Sequence, residues 1–260
     1  MSKTRTLTTL LAACACAALP AAASATTERA TLRASFSPNR LGASTTISFG
    51  FHVSTLEGAA PPPITSVDLH MPAGMNYTRT TLGLSICQPA TLLVSGIAGC
   101  SPNARLGFGK ALVEVPFGTG AGHEIPELQA MMGPSPTGNL VVVFYASGLF
   151  PVSAQLTFLG EVLPDHGRFG SQLMTSVPPV ASVPGGPDVS IVDVETTIGP
   201  SHLTYYKHVH GRKVPFEPQG VLVPTRCPRG GFPFTAEFGF QDGGSTTAST
   251  AVPCPPKRRR

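Results

Sequence analysis

The chain has no tryptophan and only four tyrosines in 260 residues, and just 12% of it is Asp, Glu, Lys or Arg. Without tryptophan, an aromatic platform for sugar rings has only Tyr77, Tyr145, Tyr205 and Tyr206 to draw on. There is no G-x-S-x-G elbow, no phosphate-cradling glycine loop and no dinucleotide fingerprint, which leaves the common hydrolase and nucleotide chemistries without their local geometry. His123-Glu124-Ile125-Pro126-Glu127 opens like a zinc-protease helix but carries Glu127 where the second histidine belongs, and Pro126 breaks the helix that motif needs. The short C-x2-C spacing of a zinc site is absent too.

Positive charge is scarce once its position is considered. Of 18 Lys and Arg, Lys3 and Arg5 stand at the start and four form the terminal run Lys257-Arg258-Arg259-Arg260. The body keeps 18 − 6 = 12 basic residues against 14 acidic ones, a net of −2, so the pI near 8.8 is no sign of a nucleic-acid partner. The basic run after Pro255-Pro256 reads as a solvated, disordered tail.

One apolar run stands out, Leu7 to Leu19. It is shorter than the roughly 20 residues of a spanning helix, follows Lys3 and Arg5, and ends at Pro20 before Ala23-Ser24-Ala25. Residues 1–25 therefore read as a signal peptide cleaved before Thr26, with lipidation of Cys14 in Leu11-Ala12-Ala13-Cys14 as the alternative. Beyond it lie Cys87, Cys100, Cys227 and Cys254, an even number in an exported chain, which favours disulfides. Of the three pairings, the sequence-local one (Cys87–Cys100, Cys227–Cys254) is the simplest.

What the sequence does have is alternation. Phe232, Phe234, Ala236, Phe238 and Phe240 occupy every second position, so a strand puts them all on one face. Asp242-Gly243-Gly244 supplies a tight turn, and a threonine-rich return runs to Val252. The same period marks Leu32-Ala34-Phe36, Ile47-Phe49-Phe51-Val53 and Val67-Leu69. Leu140–Ala146 is apolar throughout and reads as a strand buried on both faces. Asn103 to Val115 switches face part-way, which predicts a bulge near Gly107 or Gly109. Further runs cover Leu128–Met132, Val152–Leu163, Phe169–Val177 and Val189–Ile198, and a polar hairpin from His202 to Phe216 turns at Gly211. Pro89 to Val94, between Cys87 and Cys100, is the one helix.

About a dozen short strands with Gly/Pro turns predict an all-β fold, an antiparallel β-sandwich or jelly-roll-like domain over residues 26–256 with one short helix inside the Cys87–Cys100 loop. The glycine-rich segment 118–123 is a long loop or the boundary between two smaller sandwiches.

Three constellations are candidates for chemistry. His202, His208 and His210 share parity, so an unbroken strand would bring them to one face as metal ligands, with His166 or Asp165 completing the set. The plainer reading is solvated histidines beside Lys207, Arg212 and Lys213. Tyr205 and Tyr206 are candidate ligand-binding residues for a carbohydrate or surface polymer. Asp188, Asp193 and Glu195 cluster in sequence, but neighbours on one strand do not flank a cleft as glycosidase carboxylates do.

Arg outnumbers Lys 13 to 5, and Ala, Gly and Pro abound, a bias that suits a GC-rich bacterial genome. Met71-Pro72-Ala73-Gly74, the Cys87/Cys100 loop, Pro187-Asp188-Val189-Ser190, Thr204-Tyr205-Tyr206 and Cys227-Pro228-Arg229-Gly230-Gly231-Phe232 together resemble a group of exported β-rich proteins of high-GC Gram-positive bacteria. The resemblance implies an exported β-rich fold and brings no activity and no site residues. The expectation is a non-enzymatic extracellular or envelope-associated protein without a cofactor or membrane span, whose partner is an envelope polymer or another surface protein. A carbohydrate-binding module and a metal-dependent enzyme are the alternatives.

Overall fold

A computed structural model of the chain describes residues 28–77, 82–117, 120–150 and 153–256. The signal segment with Cys14, the tail 257–260 and residues 118–119 of the glycine-rich segment lie outside the described residues. The elements are β1 (Glu28–Ser37), β2 (Ser44–Thr55), β3 (Ile64–Pro72), α1 (Pro89–Ser95), β4 (Arg105–Phe117), β5 (Gly120–Glu124), β6 (Glu127–Met132), β7 (Leu140–Gly148) and β8 (Ala154–Pro164). After them come β9 (Phe169–Ser176), β10 (Ser190–Ile198), β11 (Tyr205–Val209), β12 (Arg212–Phe216), β13 (Val221–Leu222), β14 (Phe232–Phe240) and β15 (Ser245–Val252).

The all-β expectation holds, and the structure adds the closure. Among the described residues, one antiparallel sheet runs β1-β2-β10-β4-β6-β7-β8-β9-β3-β14-β15, with β5 on β4 and β13 on β2. Its two edge strands meet again: the Thr246 hydroxyl of β15 donates to the Glu28 carbonyl of β1 at 3.2 Å, and the Phe36 ring of β1 reaches inside to lie edge-on to Phe232 and Phe234 of β14 at 5.5 and 6.0 Å. The result is a nearly closed, barrel-like sandwich, which leaves little exposed edge to pair with other chains.

The alternating runs set what points inward. Leu32, Phe36, Ile47, Phe51, Val53, Phe232, Phe234, Phe238 and Phe240 are all buried in one continuous interior. The run through β7 is buried on both faces, as its lack of alternation predicts. Val142 and Ala146 face the barrel interior, while Val143 and Tyr145 face outward under α1. There they meet Leu92, Cys87, Ala104 and Met131 in a second small core. Proline at the first turn starts α1, and Gly96 ends it at φ +60, a conformation open to glycine at little cost.

Cys87–Cys100 and Cys227–Cys254 are bonded, with Cα–Cα separations of 5.5 and 5.7 Å. The register of β4 slips between Arg105 and Gly107. A Cβ on Gly107 or Gly109 would sit 1.9 or 2.2 Å from a carbonyl oxygen of β10, so these glycines admit the close approach of the neighbouring strand. Gly120–Gly122, expected as loop, belongs to β5 and pairs with β4. Its composition carries no period, so only the partner strand specifies it.

Candidate functional site

The strand ends gather at two poles. At one, the end of β7, the start of β8, the start of β3 and the 177–189 connection surround an apolar cavity of about 160 Å³ inside the barrel. An apolar cavity of roughly this size stays dry and takes up benzene-sized ligands. Among the described residues, Glu124, Thr175 and Thr196 are the only polar side chains that line it. Its existence follows from which residues point inward: Ala111, Ala146, Gly148 and Ala154 are small where Phe49 and Phe51 of β2 line the same space.

Below it, toward the other pole, lies a second cavity of about 80 Å³ that has, among the described residues, no polar side chain but the partly buried Tyr77. Tyr77 has its pKa pushed up to about 12 by burial. Phe49, Leu69, Phe144 and Leu173 line both cavities and form the partition between them. Phe144 is stacked on Phe158 with ring centres 5.1 Å apart.

At the outer pole the Glu124 side chain is 92% withdrawn from solvent by the measure of its residue, which is 8% exposed. Its Oε1 accepts from the Phe150 N–H at 3.0 Å. A Cβ on Gly148 would fall 2.3 Å from that oxygen, so glycine is what lets the carboxylate lie across the end of β7. Pro178, Pro179 and Val180 cross the same pole as a strap, and Asp188 at its far end accepts from Gln241 Nε2 at 2.8 Å.

No family model matches this chain, and no curated protein or solved structure is significantly similar to it. The site has to be judged on its own chemistry.

The residues singled out in the sequence lie elsewhere. β11 covers only Tyr205–Val209, so the unbroken strand that would align three histidines does not exist. His202 sits in the preceding turn at φ +62 against the edge of Phe108, and His210 sits in the hairpin turn at φ +49 beside Gly211. His208 stands on the exposed strand opposite Lys213. Asp165 is engaged far from them by His70, whose Nδ1 lies 2.7 Å from its Oδ2. Among the described residues no group of three or more His, Cys, Asp or Glu side chains is placed to hold a metal ion.

Tyr205 is a core residue, 0% exposed, and not a surface platform. Its hydroxyl accepts from the Gly83 N–H at 2.8 Å and donates to the Arg105 carbonyl, and burial pushes its pKa up to about 12. Tyr206 is half-buried: its backbone is clasped by Asn103 on both sides, and the Lys213 ammonium covers its ring at 4.2 Å. Asp193 and Glu195 lie on the outer face, paired with Arg33 at 3.2 and 3.9 Å, and Glu195 also with Lys110 at 3.4 Å. The sequence reading met Glu124 only in the rejected His123–Glu127 motif.

Proposed function

We propose that this protein is a non-enzymatic, exported binding protein of the bacterial envelope or extracellular space that encloses an apolar ligand within its barrel. The apolar cavity carries the reading: a void bounded by rigid strands, nearly free of polar side chains, is the usual form of a small-molecule site. A packed interior closes such a space, because each missing contact costs stability. Two disulfides, and the lack among the described residues of any helix long and apolar enough to cross a membrane, are compatible with an extracellular place. Export also agrees with the leader-like segment 1–25 and the likeness to exported bacterial β-rich proteins.

The test is direct. Protein purified without detergent is extracted with organic solvent and the extract analysed by mass spectrometry, alongside titration with Nile red. A stoichiometric apolar compound, or saturable dye fluorescence that Ala146→Leu weakens at least tenfold, supports the reading. An empty extract together with no saturable dye uptake overturns it.

A further inference from the structure

The two cavities are stacked along the barrel axis rather than side by side. β7 shows this: Phe144, Ala146 and Gly148 line the outer one, and Leu140, Val142 and Phe144 the inner one. β10 repeats the order, with Ile191, Val194 and Thr196 outside and Ile198 inside. From Gly148 to Leu140 the strand rises about 27 Å at roughly 3.4 Å per residue, so the lined path is long and narrow. The partition is made of side chains, not backbone, and three of its four members (Phe49, Phe144 and Leu173) are only partly buried. Phe144 and Leu173 are side chains whose rotation would join the two spaces without moving a strand.

Among the described residues, the path carries a carboxylate at one end only. Glu124 lines the outer cavity at the outer pole, its Oε1 accepting from the Phe150 N–H at 3.0 Å. The residue is 8% exposed, and a ligand group that donates to its carboxylate gains a charge-assisted hydrogen bond beside an apolar space. We infer that the occupant is a single-chain amphiphile: its hydrocarbon tail runs through the outer cavity, past Phe144 and Leu173, into the inner one, and an amine or hydroxyl headgroup donates to Glu124. This rests on the reading of the barrel as an apolar-ligand binder and narrows it to one ligand shape and one headgroup polarity. A compact ring system would fill the outer cavity alone. A carboxylate headgroup would meet Glu124 acceptor to acceptor.

The experiment is a calorimetric titration of the full, disulfide-bonded chain with hexanol, octanol and decanol, then with decylamine and decanoate. Affinity rises about three- to fourfold per added methylene up to decanol, as burial of each methylene in apolar surroundings dictates. Decanol and decylamine bind at least tenfold more tightly than decanoate. Phe144→Trp, or Val142→Phe where that variant misfolds, fills the inner cavity and flattens the series beyond hexanol while hexanol still binds. Glu124→Gln brings decylamine and decanoate to within threefold of each other. If hexanol binds but the longer alcohols bind no better, the threaded tail is overturned and the apolar-binder reading stands. A preference for decylamine that persists in Glu124→Gln overturns the headgroup assignment. If neither hexanol nor Nile red binds, the function itself is wrong.

Discussion

The two walls of this barrel are built from the same kind of strand and come out differently. On the wall of β1, β2, β14 and β15, large rings interlock: Phe36 with Phe232 and Phe234, and Phe51 with Phe238 at 4.9 Å. On the wall of β4, β7 and β8, the inward positions nearest the outer pole hold Ala111, Ala146, Gly148 and Ala154, and the space stays open. Both walls are paired and apolar, so neither hydrogen bonding nor hydrophobicity distinguishes them. Side-chain volume does, because strands fixed about 10 Å from their facing layer cannot close over small residues. One wall is closed by interlocking rings, and the other leaves an apolar space.

Substitutions that treat the walls alike expose the difference. Phe238→Ala on the packed wall removes a ring that is 1% exposed and costs about 3–5 kcal/mol. Chemical denaturation measures it, and a loss under about 1 kcal/mol would mean that this wall is not tightly packed. Opening Cys227–Cys254, which closes the terminal hairpin on that wall, costs about 3.5 kcal/mol for a separation of 27 residues. Opening Cys87–Cys100, which holds α1 against the other wall, costs about 3 kcal/mol for 13 residues. Thermal melts of the two double-serine variants rank them, and the reverse order would place the weaker wall at the hairpin.

The sharpest test uses one change twice. Ala236→Leu, in the packed wall, overfills its site and costs about 1–3 kcal/mol. Ala146→Leu has the cavity to enter, and stability changes by less than about 1 kcal/mol while ligand uptake falls. Equal penalties would remove the distinction between the walls.

The smallest effect belongs to the outer surface. Asp165 has its pKa lowered from 3.8, first by the hydrogen bond with His70 and then by the His166 backbone N–H. A carboxyl held below its ordinary value adds stability that is fully present above about pH 3.8 and is lost as pH falls through the lowered value. Asp165→Asn therefore lowers the melting temperature at neutral pH by a few degrees at most, as for a partly buried surface pair, and the gap to the parent closes in acid. A gap that widens below pH 3 would reverse the sign assigned to this pair.

The terminal hairpin shows how far the sequence reads. Its every-second phenylalanine identifies the strand, the inward face and the closing role, since period two leaves no other face for five apolar side chains. The helix between Cys87 and Cys100 was equally legible from its proline start and glycine end. Legibility failed at β5, where glycine carries no pattern, and at the His202–His210 hairpin. There parity assumed a continuous strand, and two turns with positive φ at His202 and His210 broke it. Tyr205 failed for another reason. It follows a polar run, and only the corner at Gly83 and Arg105 shows that its hydroxyl has partners indoors.

By itself, then, the sequence determined strand identity, the inward face and the all-β class, because these depend on periods of two within single segments. The cavity was decided in three dimensions. Ala111, Ala146, Gly148 and Ala154 are far apart along the chain and unremarkable singly, and only the order β4-β6-β7-β8 brings them to one side of a common space. The place of Glu124 was decided the same way: its neighbour Phe150 is 26 residues on, and the pairing of β5 with β4 and the order β4-β6-β7 are what carry a carboxylate to the end of an apolar cavity.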